Sequence, residues 1–295
     1  MAPSTTAQLI IPIPMVSVIP SCQLAMTGLH PPKTFTNLTD VNKAIRTKVE
    51  KLQAKDVTQY ISYKHVSPQK FTWIDEHRDQ LECKVRFAYY PDISTMIIKI
   101  PTREHEITHT NIGETVTIQI RNMGIPRDEY LALGATIYVG PTASKKESDA
   151  AWINPTLRPK HDDWPFLVME VGVSESLSRL RQDVAWWISN SRGQVRIVLL
   201  IQVTRSSKRI VLEKYIPKEA VYPRTRARAA LPPVYVPDLV STTTVNHGVS
   251  PPVVTGGRMV LEFEKVIGRP PIAPEEDIEL TPALLIDATR FVFRR

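Results

Sequence analysis

The stretch Trp164-Pro165-Phe166-Leu167-Val168-Met169-Glu170-Val171-Gly172-Val173-Ser174-Glu175-Ser176 decides the fold of this chain. Residues 165–171 form a nearly unbroken apolar run, short enough for a central strand that is buried on both faces. A helix is predicted to follow, with Ser174 as its N-cap and an apolar stripe along one face. Residues 195–203 form a second strongly apolar strand. Because a strand–helix–strand crossover joins parallel strands, the sequence predicts an α/β sheet.

Spacing patterns predict further elements on both sides of this unit. Helices are predicted over residues 37–54 and 104–123 and after the N-cap Thr281, and strands over 82–89, 95–100, 134–139, 149–152, 209–216 and 258–266. Residues 115–120 also alternate with a period of two, so a strand competes with the second helix there. Residues 140–147 are predicted to form a polar loop.

Composition and proline usage suggest how the chain is divided. Hydrophobic residues make up 42% and charged residues 23% of the 295 positions, which is typical of a folded protein and excludes wholesale disorder. Of the 25 prolines, six lie in residues 1–32 and ten in residues 217–274. We therefore predict a proline-rich N-terminal segment over 1–32, an α/β domain over 33–216, and a basic, proline-rich wrap over 217–295 with a terminal strand and helix.

Two features bear on the compartment. The two cysteines, Cys22 and Cys83, cannot build a disulfide framework, which is the pattern expected of an intracellular protein in the cytoplasm or nucleus. The apolar stretch 9–26 is interrupted by Pro12, Pro14 and Pro20, so we expect no membrane span.

The charge of the chain is positive and uneven. The sequence has 37 basic and 30 acidic residues, a net charge of +7, and eight of the basic residues lie in 205–228 beside two acids. Such a cluster favours contact with a polyanion such as nucleic acid, and a solvated surface is the alternative. The candidate phosphate contacts are Arg205, Lys208, Arg209, Arg224, Arg226 and Arg228.

Two acidic residues suggest a metal site. Asp149 opens a short strand, and Glu170 lies inside the buried apolar strand, where a charge is costly without a partner or a metal. Carboxylates from neighbouring strands can converge, and oxygen ligands suit Mg²⁺ or Mn²⁺, which can polarise a phosphodiester. The alternative is that Asp149 is a turn residue and that Glu170 pairs with a nearby arginine.

The order helix–strand–strand–strand–helix–strand, with an acid on the second and third strands, resembles the PD-(D/E)XK nuclease superfamily over about residues 97–216. The stretch quoted above is especially similar to fungal proteins of that type. The resemblance implies a restriction-endonuclease-like core and a nucleic-acid-binding phosphodiester hydrolase that uses Mg²⁺ or Mn²⁺. It also implies that Asp149 and Glu170 hold the metal and that Glu106, on the first core helix, is an additional acid.

The chain departs from the family's pattern in its second and third motifs. The proline before the aspartate is Ser148, and the lysine two residues beyond the glutamate is Gly172. Family members that move this lysine carry it on the following helix, where this chain offers Arg179 and Arg181. Arginine is a poor proton carrier, although it can still neutralise phosphate. Arg181 is therefore a candidate catalytic cation, and a catalytically inactive, nuclease-like interaction protein is the alternative function.

A second motif suggests zinc. The segment His105-Glu106-Ile107-Thr108-His109 matches H-E-x-x-H, in which two histidines on one helical face bind Zn²⁺ and the glutamate is the general base. Glu129 and His161 are candidate third ligands. A zinc-dependent hydrolase is thus the second alternative function, and two exposed histidines without a ligand role are the competing interpretation.

Overall fold

The computed structural model describes residues 19–54, 57–221 and 232–294, and seven helices and fifteen strands lie in these ranges. The helices are α1 (Ser21–Leu24), α2 (Leu38–Ala54), α3 (Pro68–Glu76), α4 (Arg103–Asn122), α5 (Leu177–Asn190), α6 (Phe263–Ile267) and α7 (Pro282–Thr289). The strands are β1 (Lys33–Thr34), β2 (Tyr60–Lys64), β3 (Arg86–Tyr90), β4 (Thr95–Lys99), β5 (Leu131–Ala132), β6 (Ile137–Val139), β7 (Lys145–Glu147), β8 (Ala150–Ile153), β9 (Leu167–Val173), β10 (Ile197–Thr204), β11 (Arg209–Glu219), β12 (Tyr235–Asn246), β13 (Val253–Thr255), β14 (Met259–Leu261) and β15 (Ile278–Leu280).

The predicted crossover forms the centre of a seven-stranded sheet with the order β13-β12-β11-β10-β9-β8-β5. Strands β9 and β10 pair in parallel, from Leu167 opposite Ile197 to Val173 opposite Val203, and α5 connects them. All seven residues of β9 are buried, as predicted for a strand covered on both faces. The other strand pairs of this sheet are antiparallel.

A second, six-stranded sheet has the order β1-β2-β4-β3-β7-β6, and β14 and β15 form a small antiparallel pair. The chain is therefore a mixed α/β protein with several sheets. None of the helices in the described ranges is long and apolar enough to cross a membrane.

Helix α5 packs between the two large sheets. Its Trp186 and Trp187 share one apolar cluster with Val168 of β9 and with Tyr90 of β3. The opposite face of the seven-stranded sheet packs against α4, and the outer face of the six-stranded sheet packs against α2 and α3. Polar residues on the α5 side of either sheet are thus brought towards a shared, dry interior.

Three sequence predictions of helices are confirmed. Helix α2 matches the segment predicted over 37–54, and α4 forms as a helix over the residues that also alternate with a strand period. The last helix begins after Thr281, whose hydroxyl accepts the amide N–H of Leu284 at 3.3 Å.

Two local predictions beside the central unit are wrong. Helix α5 is capped by Ser176 instead of Ser174, because the Ser176 hydroxyl accepts the Arg179 N–H at 3.2 Å, whereas Ser174 has a positive φ of 60°. The predicted polar loop 140–147 contains β7, which pairs with β3 and β6. Because β7 is short and charged, its strand conformation depends on pairing with β3 and β6 and cannot be predicted from its own sequence pattern.

The C-terminal region is more regular than its prolines suggest. The predicted strand 258–266 ends with β14 and continues as α6, in which Phe263, Val266 and Ile267 are buried at helical spacing. The 12-residue β12 lies beyond residue 217 and pairs along β11, where the sequence predicts irregular wrapping. The three-segment division of the chain remains a prediction, and residues 1–18 lie outside the described ranges.

Candidate functional site between the two sheets

The two acids singled out in the sequence lie on the same side of the seven-stranded sheet and are both buried. Asp149 immediately precedes β8, and its Oδ2 accepts the backbone N–H of Val171 on β9 at 2.7 Å. Glu170 is on β9 and faces α5, where its Oε1 accepts the indole N–H of Trp187 at 2.6 Å. The strand order therefore brings the two carboxylates to one place, as the sequence predicts.

A lysine from the other sheet lies between these carboxylates. The Nζ atom of Lys99 on β4 contacts Oδ2 of Asp149 directly and lies 3.5 Å from Oε2 of Glu170. The alternation of β4 explains this placement, because Met96 and Ile98 face α2 and α3, whereas Ile97 and Lys99 face α5. One ammonium group thus bridges the two acids across the sheet interface.

The ion pairs continue from Glu170 towards α5. Lys146 of β7 has its Nζ 3.3 Å from Oε1 of Glu170 and 2.9 Å from Oδ1 of Asp183. The same Asp183 oxygen pairs with Nη2 of Arg179 at 2.9 Å, one turn away on α5. The other Asp183 oxygen accepts the hydroxyl of Tyr60 at 3.1 Å. We call the six charged residues the ion cluster: Lys99, Lys146, Arg179, Asp149, Glu170 and Asp183.

The ion cluster contains three cations and three acids, and each of these side chains is at most 5% exposed. Burial would raise the pKa of Asp149, but His105 and Lys99 outweigh it and hold the pKa well below its usual range. Burial likewise opposes ionisation of Asp183, yet Arg179 and Lys146 lower its pKa. Burial raises the pKa of Glu170 in spite of Lys146 and Lys99, and the neighbouring carboxylates Asp149 and Asp183 raise it further. The cluster is therefore a buried set of opposed charges in which Glu170 is the least stabilised anion.

Helix α4 adds a histidine to this cluster. The hydroxyl of Thr102 caps the helix and accepts the N–H of His105, which places the imidazole in the first turn. Its Nε2 lies 3.0 Å from Oδ1 of Asp149, and its Nδ1 lies 3.4 Å from Oε1 of Glu106. Burial would lower the pKa of His105, but the charge of Asp149 raises it overall.

The ion cluster does not fit a resident Mg²⁺ or Mn²⁺. Oδ2 of Asp149 and Oε1 of Glu170 accept the N–H groups of Val171 and of the Trp187 indole. Oδ1 of Asp149 and Oε2 of Glu170 accept no hydrogen bond from the described residues, and they lie 3.0 Å from Nε2 of His105 and 3.5 Å from Nζ of Lys99. A divalent ion added beside Lys99 and Lys146 would leave buried positive charge without compensation, which costs several kcal/mol. Mg²⁺ or Mn²⁺ thus remains a sequence prediction that this geometry does not support.

The zinc motif forms a compact group on α4. Ligand atoms of His105, Glu106 and His109 lie within 4.8 Å of one another, and Oε2 of Glu106 is 2.9 Å from Nε2 of His109. The neighbouring imidazoles of His105 and His109 lower the pKa of Glu106. The interpretation of two exposed histidines is wrong for His105, which is fully buried.

The other candidate metal and catalytic residues lie apart from the ion cluster. Glu129, a candidate zinc ligand, pairs with Arg269 at 2.5 Å, and His161 is not part of the three-residue group on α4. Arg181 pairs with Glu213 at 2.6 Å and is 47% exposed, so it is engaged on the far side of α5. Within the described ranges, Arg179 is the arginine of that helix that joins the cluster.

The basic segment is divided between structural and exposed positions. Arg205 makes two hydrogen bonds to Glu104, at 3.0 and 2.9 Å, and a third to the carbonyl of Leu52. Lys208 and Arg209 are exposed at the turn between β10 and β11. Arg224, Arg226 and Arg228 lie outside the described residues. Phosphate binding by this segment remains a prediction.

Sequence reasoning missed the two lysines. Lys99 interrupts the apolar run 96–100, and the rule that a charge in a buried strand needs a partner applies to it as it does to Glu170. Lys146 carries no such signal, because its neighbours Lys145 and Glu147 are also charged.

Gly172 stands where the nuclease family has its motif lysine, and neighbouring side chains leave no space for a side chain there. A Cβ atom at Gly172 would lie 2.5 Å from Cδ2 of the buried Leu180 and 3.1 Å from Cβ of Glu175. Helix α5 therefore approaches β9 more closely than a side chain at this position permits.

Comparisons with known proteins leave the family open. No protein-family profile matches the chain, and no curated protein matches it. One similar solved structure is that of a candidate nuclease belonging to DUF820 from Anabaena variabilis, with 11% identity and a TM-score of 0.34 over 54% of this chain and 92% of that one. A similarity of this size does not establish a shared fold.

Replacing Lys99 by methionine should destabilise the protein by about 3–5 kcal/mol, because it leaves Asp149 and Glu170 buried without their shared cation. Urea unfolding followed by circular dichroism measures this change. Adding Asp149→Asn should restore part of the loss, since the two residues are directly coupled. The control is Arg46→Met, which removes an exposed ion pair with Glu82. A loss for Lys99→Met as small as that of the control would contradict the assigned role.

Gly172→Lys restores the family's motif lysine in sequence, and we expect it to destabilise the fold by about 1–3 kcal/mol through overpacking against Leu180. Gly28→Lys is the matched control, because no atom lies within 4 Å of a Cβ at Gly28. Thermal unfolding of both variants tests the expectation. An unchanged melting temperature for Gly172→Lys, together with new Mg²⁺-dependent cleavage, would show that this position is open to a side chain.

Proposed function

We propose that this chain is a nuclease-like α/β protein that binds nucleic acid and does not cleave it. Support comes from the order α4, β5, β8, β9, α5 and β10, whose four strands are neighbours in the seven-stranded sheet, with acids at Asp149 and Glu170. This order matches the helix–strand–strand–strand–helix–strand pattern that suggested the PD-(D/E)XK superfamily. The first of its strands is β5, because the strand predicted over 134–139 forms β6 of the six-stranded sheet. In this proposal the restriction-endonuclease-like core lies in the seven-stranded sheet, and the six-stranded sheet, the β14–β15 pair and the terminal helices are additions around it.

The main observation in favour of a protein that does not cleave nucleic acid is the position of the Lys99 ammonium between the two carboxylates. A metal-dependent nuclease must present both acids to an ion and to a phosphate at the same time. Here both acids are buried, and Oδ2 of Asp149 and Oε1 of Glu170 accept protein N–H groups, while the Lys99 ammonium lies beside Oε2 of Glu170. The lysines of the cluster neutralise the acids and have no access to substrate.

The binding half of the proposal rests on charge. A net charge of +7 favours association with polyanions through release of counterions from phosphate. Binding without cleavage is the chemistry expected when a basic surface remains and the acidic site is sealed.

A zinc-dependent hydrolase is the second candidate, and the 4.8 Å grouping of His105, Glu106 and His109 is the observation in its favour. Stoichiometric zinc in the purified protein that is lost in His109→Ala would favour it over the first proposal.

A cleavage assay with labelled DNA and RNA in Mg²⁺ or Mn²⁺ tests the proposal. We expect wild-type cleavage within about twofold of the EDTA control and of Asp149→Asn and Glu170→Gln, because a closed acid pair supplies no nucleophile-activating ion. The EDTA arm needs no substitution, so it separates catalysis from folding.

Binding of the same labelled strands, followed by fluorescence anisotropy, is expected to persist in EDTA and to weaken with rising salt. Metal-dependent turnover that disappears in either acid variant while its circular dichroism spectrum stays native would overturn the proposal.

A further inference from the structure

A basic groove of about 640 Å³ lies between α2 and the strands β1 and β2. Four lysines line it: Lys33, Lys43, Lys48 and Lys51. Asp40 also lines the groove, but its carboxylate accepts hydrogen bonds from Thr36 and from the Asn37 amide at the start of α2. The groove therefore carries an excess of positive charge, and we call it the lysine groove.

The charge of the lysine groove is not neutralised by the protein. Over residues 19–54, 57–221 and 232–294, no carboxylate oxygen lies within 4.0 Å of the ammonium nitrogen of any of its four lysines. Burial lowers the pKa of the half-buried Lys48, and Lys51 and Lys33 lower it further against the opposing effect of Glu175. Within these ranges the four lysines therefore have no ion-pair partner, and burial is the main cause of the lowered Lys48 pKa.

The lysines on α2 are arranged in a row. Lys43, Thr47 and Lys51 are spaced four residues apart, so they share one face of the helix. Eight residues of helix span about 12 Å, which equals the rise of about three phosphates along one strand of a duplex. A row of this length suits a polymeric phosphate backbone better than a single small anion.

Tyr60 separates the lysine groove from the ion cluster. Tyr60 lines the groove, its side chain packs in the apolar cluster around α5, and its hydroxyl donates to Asp183 at 3.1 Å. The Arg179 guanidinium packs 4.8 Å from the centre of its ring. A strand lying in the groove would thus come close to the cluster without reaching Asp149 or Glu170.

We propose that the lysine groove, and not the exposed turn of Lys208 and Arg209, holds the phosphate backbone of nucleic acid. This inference rests on the proposed function, because it assumes that the chain binds nucleic acid. It assigns Lys43 and Lys51 to phosphate contacts and Tyr60 to the barrier that keeps the strand away from the acids.

Two charge-matched double variants of the full chain test the inference. Lys43→Gln/Lys51→Gln removes two exposed cations from the groove, and Lys208→Gln/Arg209→Gln removes two from the turn between β10 and β11. The probes are fluorescein-labelled single-stranded and duplex oligonucleotides, titrated by anisotropy at several salt concentrations. Circular dichroism melting shows that each variant is folded.

We expect the groove variant to weaken binding about tenfold or more and to lower the salt slope by about 1.4 to 1.8, the amount for two phosphate contacts. The turn variant should bind within about twofold of wild type.

Equal losses in the two variants, or a loss confined to the turn variant, would overturn the assignment of phosphate binding to the groove and leave the proposed function intact. Wild-type protein that binds neither probe would overturn the proposed function itself, and competition by polyglutamate as strong as by nucleic acid would contradict a phosphate-specific groove.

Discussion

The structure depends above all on the contact of the Lys99 ammonium with two buried carboxylates. The acids Asp149 and Glu170 belong to the seven-stranded sheet, and Lys99 and Lys146 belong to the six-stranded sheet. Neither sheet could bury its own charges, because an unpaired ion in a dry interior costs several kcal/mol. The ion cluster therefore fixes how the two sheets meet, and the apolar packing around Trp186 and Trp187 keeps water away from it.

This arrangement changes the chemistry that the acids can perform. In a metal-dependent nuclease, paired carboxylates are held open for an ion, whereas here a tethered cation occupies the position between them. The close approach of α5 leaves no room for a side chain at position 172, and the cations beside the acids come from strands of the six-stranded sheet. The two acids of this chain therefore take part in the packing of the two sheets.

Local patterns predicted what depends on local forces. The apolar run of β9, the stripe of α5 and the cap at Thr281 follow from burial and capping, so the central crossover and the last helix could be read from sequence. The convergence of Asp149 and Glu170 followed from strand adjacency. The partners of these acids could not be predicted, because Lys99 and Lys146 meet them only through the packing of two sheets. For the same reason the polar sequence of β7 and the proline-rich surroundings of β12 did not predict these strands. Arg181 likewise pairs with Glu213 and does not face the acids.

The most direct test of the central claim is calorimetric titration of Mn²⁺ into the wild-type protein, Lys99→Ala and Lys99→Ala/Asp149→Asn. If Lys99 occupies the cation position, the wild type binds no ion that depends on Asp149. Lys99→Ala then gains one Mn²⁺ site, and the added Asp149→Asn removes it. A wild-type Mn²⁺ site that is lost in Asp149→Asn would contradict the account, because it would show that the two acids are open to a metal in the presence of the lysine.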